Sequence, residues 1–146
     1  MVAKIIKFGF ATFVYLFNKD FNKILLIKRN REKREKYGRD WGNIGGKIEL
    51  GEFSIQACLR EASEEVGLKL EQKKIKLVDV KEIIHEETGE YAIHFRYCTV
   101  LDENISIVLN DESEGYRWFD INDLPNNMFE SKEEISNIIS IAKRLF

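Results

Sequence analysis

Gly45–Leu68 reads GGKIELGEFSIQACLREASEEVGL, a glycine-rich loop that runs into a segment dense in carboxylates. From Ser54 to Val66 the apolar residues Ile55, Leu59, Ala62 and Val66 recur every three or four places, the period of a helix that buries one stripe. Ser54 is placed to cap its start and Gly67 to end it. Glu61, Glu64 and Glu65 stand at i, i+3 and i+4 and therefore cluster beside that stripe. Carboxylates at these spacings repel, and on this helix only Arg60 is near enough to relieve them. The cluster is either a solvated acidic face or a seat for a hard divalent cation, Mg²⁺ or Mn²⁺, which prefers oxygen ligands.

The full spacing decides between these readings. Gly46 is followed after five residues by Glu52, after seven more by Arg60-Glu61, and then by Glu64-Glu65, Gly67 and Leu68. This pattern resembles the Nudix box, G-x5-E-x7-R-E-U-x-E-E-x-G-U, where U is a bulky aliphatic. Every fixed position is matched, and the one departure is Ala62 at the first U, a packing position. A chance match to seven fixed residues in one chain is on the order of one in a million.

The resemblance implies an α+β fold, a Nudix-type α/β/α sandwich with a mixed β-sheet packed between helices. It also implies metal-dependent hydrolysis of a nucleoside diphosphate linked to another group X, by attack of water on phosphorus within the pyrophosphate bridge. Carried onto this chain, it assigns Glu61 and Glu65 to a divalent metal, with Glu64 and Glu52 assisting and the Gly45 carbonyl as backbone ligand. Arg60 would orient Glu61 by a charge-assisted hydrogen bond. Glu61 or Glu64 would be the general base. Gly46 and Lys47 would meet the phosphates.

At 146 residues, 44% of them hydrophobic, the chain fits one domain spanning 1–146 with a proper core. A formal net charge of −2, from 23 basic and 25 acidic side chains, leaves no basic footprint, so polymeric nucleic acid is not the expected partner. The expected partner is a small nucleotide, and a homodimer is left open. Cys58 and Cys98 lie in separate apolar segments, which reads as buried reduced thiols and a cytoplasmic location. The opening MVAKIIKFGFATFVYLF imitates a secretory signal but is aromatic and β-branched, lacks a small-residue cleavage site and continues through Asn18-Lys19-Asp20 into a second apolar run. A hairpin is expected there, and no membrane span.

Strands are expected from about Lys7 to Phe17 and from Lys23 to Lys28, with Ile24, Leu25, Leu26 and Ile27 as core. The segment RNREKREKYGRDW then reads as a charged loop, either a solvated connection or a phosphate contact. Trp41 to Ile48 reads as a short glycine-rich strand, Lys74 to His85 as another, and Tyr91 to Val100 as a strand with an aromatic face and a polar one. His85 and His94 have no metal-ligand spacing and read as structural or solvent-facing.

DESEGYRWFDINDLP, 111–125, is similar to a further Nudix stretch in which an acidic residue completes the metal site. Glu114 is the first choice and Glu112 the second. Trp118 reads as core, and Phe129 as either a base-stacking residue or packing under the final helix, which opens at Ser131 and buries Ile135, Ile138, Ile139, Ala142 and Leu145.

For the substrate, KYGRDWGNIGGKIE is similar to Nudix enzymes that remove oxidised purine nucleoside triphosphates, giving monophosphate and pyrophosphate. ADP-ribose or nucleotide-sugar hydrolysis and dinucleoside polyphosphate hydrolysis are alternatives, as is a non-catalytic nucleotide-binding regulator. The intact set of box carboxylates speaks against the last.

Overall fold

The computed structural model describes residues 4–146. The run Lys7–Phe17 forms β1, the strand on which the others assemble. After the turn at Asn18, whose side chain accepts the backbone N–H groups of Asn22 and Lys23, the chain returns as β2, Lys23–Arg29. Trp41–Gly42 (β3) pairs with β2, and Ile44–Lys47 (β4) pairs with β1. The single glycine-rich strand expected there is thus two short ones serving different partners.

After the box helix α2, Ser54–Val66, come β5 (Lys76–His85), β6 (Glu90–Val100) and β7 (Ser113–Asp120). The sheet runs β3-β2-β1-β6-β5, with β7 on β2. Among these strands only β1 and β6 are parallel, from Lys7 beside Glu90 to Phe17 beside Val100.

Alternation along the two central strands sorts the side chains into two cores. Val14, Leu16, Leu25 and Ile27 meet Cys58, Ala62 and Val66 of α2. Tyr15, Phe17, Ile24 and Leu26 meet Ile135, Ile138, Ile139 and Ala142 of α3, Lys132–Leu145, on the other face. A strand buried on both faces needs no polar alternation, which is why β1 and β2 read as unbroken apolar runs. The result is the expected mixed sheet between helices. Leu145 departs from the expected stripe and lies at the exposed end of α3.

Two local expectations change. The charged segment is not a loop throughout: Arg31–Tyr37 forms a two-turn helix, α1, capped by the Asn30 side chain on Lys33 N–H and ended by Gly38 in the left-handed region. It buries no residue, so its caps and the Arg31–Glu35 pair hold it, and a search for an apolar stripe passes over it. At the start of α2 the cap position is Phe53, not Ser54, and Gln56 Oε1 accepts the Phe53 N–H. The Ser54 hydroxyl instead pairs with the Tyr97 hydroxyl at 2.5 Å.

Cys58 and Cys98 are buried free thiols, both pushed up to about 12 by burial. Among the described residues no helix is long and apolar enough to cross a membrane. Because Ile138 is 1% exposed at the centre of the α3 contact, Ile138→Ala should cost about 2–5 kcal/mol, measured as a lower denaturant midpoint at unchanged slope.

Candidate active site

The carboxylates of α2 fall into three different environments. Glu65 lies on the buried side, 7% exposed, and its carboxylate accepts the Gly45 N–H at 3.1 Å. Glu61 stands one turn earlier, within hydrogen-bonding reach of Glu65 and pressed against Gly46. Glu64 points outward and reaches Arg60 at 3.2 Å.

Both glycines are needed for this approach. A Cβ at Gly45 would overlap the Thr12 carbonyl and the Phe13 ring, and a Cβ at Gly46 would overlap the Glu61 carboxylate. Burial first, then Glu61, then the charge of Glu112 push the Glu65 carboxyl far above the ordinary carboxylate range; the Gly45 N–H opposes them.

Arg60 ties the group together. Its guanidinium binds Glu52 through two 2.9 Å hydrogen bonds, Glu61 at 3.0 Å and the Lys47 carbonyl at 3.0 Å. Glu52 also accepts the Glu49 N–H at 2.8 Å, and these donors, Arg60 foremost, hold its carboxyl down at about 2. Both Glu52 oxygens are therefore already engaged, which makes it an anchor for Arg60.

The two acidic candidates beyond the box separate clearly. Glu112 lines a small cavity with Gly45, Glu65, Phe13, Arg29 and Lys33, its carboxylate 3.2 Å from Lys33 Nζ. Glu114, the first choice from sequence, is instead paired with Arg34 and lies 3.7 Å from Lys28. Of the two, Glu112, the second choice, is the one that shares a cavity with Glu65.

An adjoining cleft of about 240 Å³ shares Phe13, Arg29, Gly42 and Asn43 with that cavity and continues to Tyr37, Arg39, His94 and Phe129. The Arg39 guanidinium lies 4.3 Å from the Phe129 ring centre. Its floor is a buried network in which Tyr15 donates to Glu130 at 2.9 Å and Asn43 Nδ2 donates to Glu130 at 3.2 Å. Asn43 Oδ1 and Arg29 Nε are buried with no partner among the described residues.

Burial, with the nearby charges of His85, Arg96 and Lys81, draws His94 down to about 4, so it is neutral at physiological pH. Sequence reading set both histidines aside, yet both line the cleft; Arg29 and Lys33 fall in the charged segment offered as a phosphate contact, whereas Asn43 and Glu130 were not singled out. These residues come from separate elements, so no local spacing joins them. Gly46 lies beside Glu61, and Lys47 is exposed at the end of β4, away from the cleft lining.

The donor set suits a hard divalent cation: paired Glu61 and Glu65 with Glu112 close by are all oxygen ligands, and a buried carboxylate apposed to a half-buried one costs stability until a cation or a proton neutralises one. Among the described residues, no three acidic, His or Cys side chains already converge on one point.

Comparison with known proteins bears on this geometry directly. The NUDIX domain model matches residues 7–137. The chain belongs to the Nudix family. Relatives of this Nudix chain include the dihydroneopterin triphosphate diphosphatase of Escherichia coli, 25% identical over 132 residues that cover 82% of this chain and 83% of that one. A putative 8-oxo-dGTP diphosphatase 3 of Mycobacterium tuberculosis is 34% identical over 94 residues, 60% of this chain and 42% of that one. Among solved structures, a MutT Nudix hydrolase from Burkholderia pseudomallei superposes with a TM-score of 0.72 at 27% identity, covering 88% of this chain and 95% of its own.

Glu65 generates a pH prediction for the metal-free Nudix protein. Its pKa in the folded chain lies above the unfolded value of about 4.3, so between the two the native state binds more protons and stability falls as pH rises, by at most about 1.4 kcal/mol for each pH unit. In chelator, Glu65→Gln should melt above wild type at pH 8, and the difference should close toward pH 4. Thermal melts across pH check it; a wild type that gains stability relative to Glu65→Gln with rising pH contradicts it.

Proposed function

We propose that this Nudix hydrolase cleaves a purine nucleoside triphosphate, oxidised purines included, to the monophosphate and pyrophosphate. The carrying observation is that the small cavity holding Glu65, beside Glu61 and with Lys33 and Glu112 on its wall, adjoins an aromatic cleft rimmed by Arg29 and Arg39. The Glu65 cavity and the cleft share Phe13, Arg29, Gly42 and Asn43, so phosphate chain and ring can be held at once.

In this reading Glu61, Glu65 and the Gly45 carbonyl hold Mg²⁺ or Mn²⁺, and Glu112 joins from the segment before β7 in place of Glu114. Such a cation neutralises phosphate oxygens and lowers the pKa of a bound water. Arg60 fixes the Glu61 carboxylate, and Glu52 fixes Arg60. Glu64, exposed and held by one oxygen, is free to take a proton from the attacking water; Glu61 is the other candidate base. Arg29 and Lys33 meet the polyphosphate. The Phe129 face receives the base, with Arg39 displaced from it or stacked on the far side. Lys47 and Gly46 contribute where the phosphates pass β4.

Two relatives are named for triphosphates carrying a bicyclic ring, dihydroneopterin triphosphate and 8-oxo-dGTP, which supports a triphosphate over ADP-ribose. The decisive test is a pyrophosphate-release screen with Mg²⁺ over purine and oxidised purine triphosphates, dihydroneopterin triphosphate, ADP-ribose and a diadenosine polyphosphate. Far more efficient cleavage of either of the last two overturns the reading, and no turnover of any compound points to a regulator.

Two expectations follow for variants. Glu65→Gln and Glu112→Gln should lose most turnover at limiting Mg²⁺ with the fold retained, while Glu114→Gln keeps it; a Mg²⁺ titration of initial rates separates them. Phe129→Ala should raise KM about 5- to 160-fold, for a stacking loss of about 1–3 kcal/mol, with a smaller change in kcat, because the contact is remote from phosphorus. Steady-state kinetics on the best substrate of the screen checks it.

A further inference from the structure

The sheet face that α2 covers at one end is bare at the other. Along β1 the even-numbered side chains share one face, and beyond Val14 and Leu16, which α2 covers, that face continues as Phe10, Phe8 and Ile6. Phe8 and Phe10 are 70% and 49% exposed. The register sets Tyr91 beside Phe8 and Ile93 beside Phe10, with Ile84 of β5 beside Tyr91 and Val80 beside Phe95. The aromatic face of β6 is accordingly the more open one, whereas Ala92, His94, Arg96 and Cys98 opposite it are buried.

The loop before α2 extends this face and breaks two local rules. Leu50, in a turn before Gly51, is fully exposed, and Phe53 is 76% exposed at a helix cap where Ser, Thr, Asp or Asn is favoured. Neither residue packs in its own core. Between loop and sheet runs a groove of about 510 Å³ lined by Phe10, Ile48, Leu50, Phe53 and Phe95, with Glu49 and Glu52 on its wall.

We infer that this face is the interface of a two-fold symmetric homodimer. The exposed Phe8, Phe10, Leu50, Phe53, Val80 and Ile84, with Ile6, present on the order of 800 Å² of apolar surface. A standard interface needs about 800 Å² per partner, and the largest apolar patch of a monomer is about 300–600 Å². Along the paired rows of β1, β6 and β5 on this face the exposed charge is Glu82, and the two carboxylates at the groove, Glu49 and Glu52, both lie against Arg60, which offsets their charge toward a second copy. β5 is also the open edge of the sheet, and its neighbouring copy would cover it.

The test is light scattering with the full chain across the micromolar range, beside Phe53→Asp and Ile84→Lys. Aspartate is a favoured cap and lysine is tolerated on an edge strand, so both changes leave the fold intact. Wild type should run near twice 17.2 kDa and both variants near 17.2 kDa, with unchanged far-UV circular dichroism. A wild type that stays monomeric at the top of the range, or variants that stay dimeric, overturns the inference. If a variant fails to fold, hydrogen exchange on wild type decides. Residues 48–53 and β5 should exchange more slowly at high than at low concentration, and equal exchange rejects the dimer.

Discussion

Arg60 is the interaction on which the site depends. A helix carrying Glu61, Glu64 and Glu65 within two turns would repel itself, and the guanidinium meets this by binding Glu61 and Glu64 while two-pronged contact with Glu52 fixes its own position. Its fifth contact, to the Lys47 carbonyl, joins the helix to the end of β4. One side chain thus sets the distance between helix and glycine strand. Lysine could not substitute, since a point charge cannot address a carboxylate with two parallel donors and still reach three other acceptors.

The glycines are the complement of that constraint. β4 lies against β1 closely enough that Gly45 has no room for a side chain, and Gly46 leaves room only for the Glu61 carboxylate. The Gly45 N–H then turns to Glu65. Charge is thereby concentrated at the one place where helix and sheet come closest, and the cost of burying Glu65 is the site's readiness for a cation.

Much of this was legible in the chain. The box spacing specified α2, its carboxylates, Arg60 and the glycines, and apolar runs located β1, β2, β6 and α3 nearly to the residue. What escaped depended on partners distant in sequence. His94 enters the cleft because β6 lies beside β1 and close to Phe129. Glu112 and Glu114 could not be separated until the pairing of β7 with β2, which shifts register at Arg29, placed one on the Glu65 cavity beside Lys33 and the other against Arg34. α1 escaped for a different reason: caps and charge pairs hold it without an apolar face. Glu52 was read as a helper of the metal because it is acidic and in the box, whereas its oxygens are spent on Arg60 and Glu49 N–H.

The parallel pairing of β1 with β6 has a consequence for how the molecule is made. β1 is the centre of the sheet, yet its longest partner runs to Val100, so the middle cannot close until the chain has been made through that residue. Until then an aromatic, β-branched strand waits with its hydrogen-bonding edge unpaired, beside only the hairpin partner β2 and later β4. Such non-local closure is slow, and a newly made chain in this condition is vulnerable to clumping with its neighbours on the ribosome. The parallel strand that completes the sheet around β1 therefore makes late closure a built-in property of this fold.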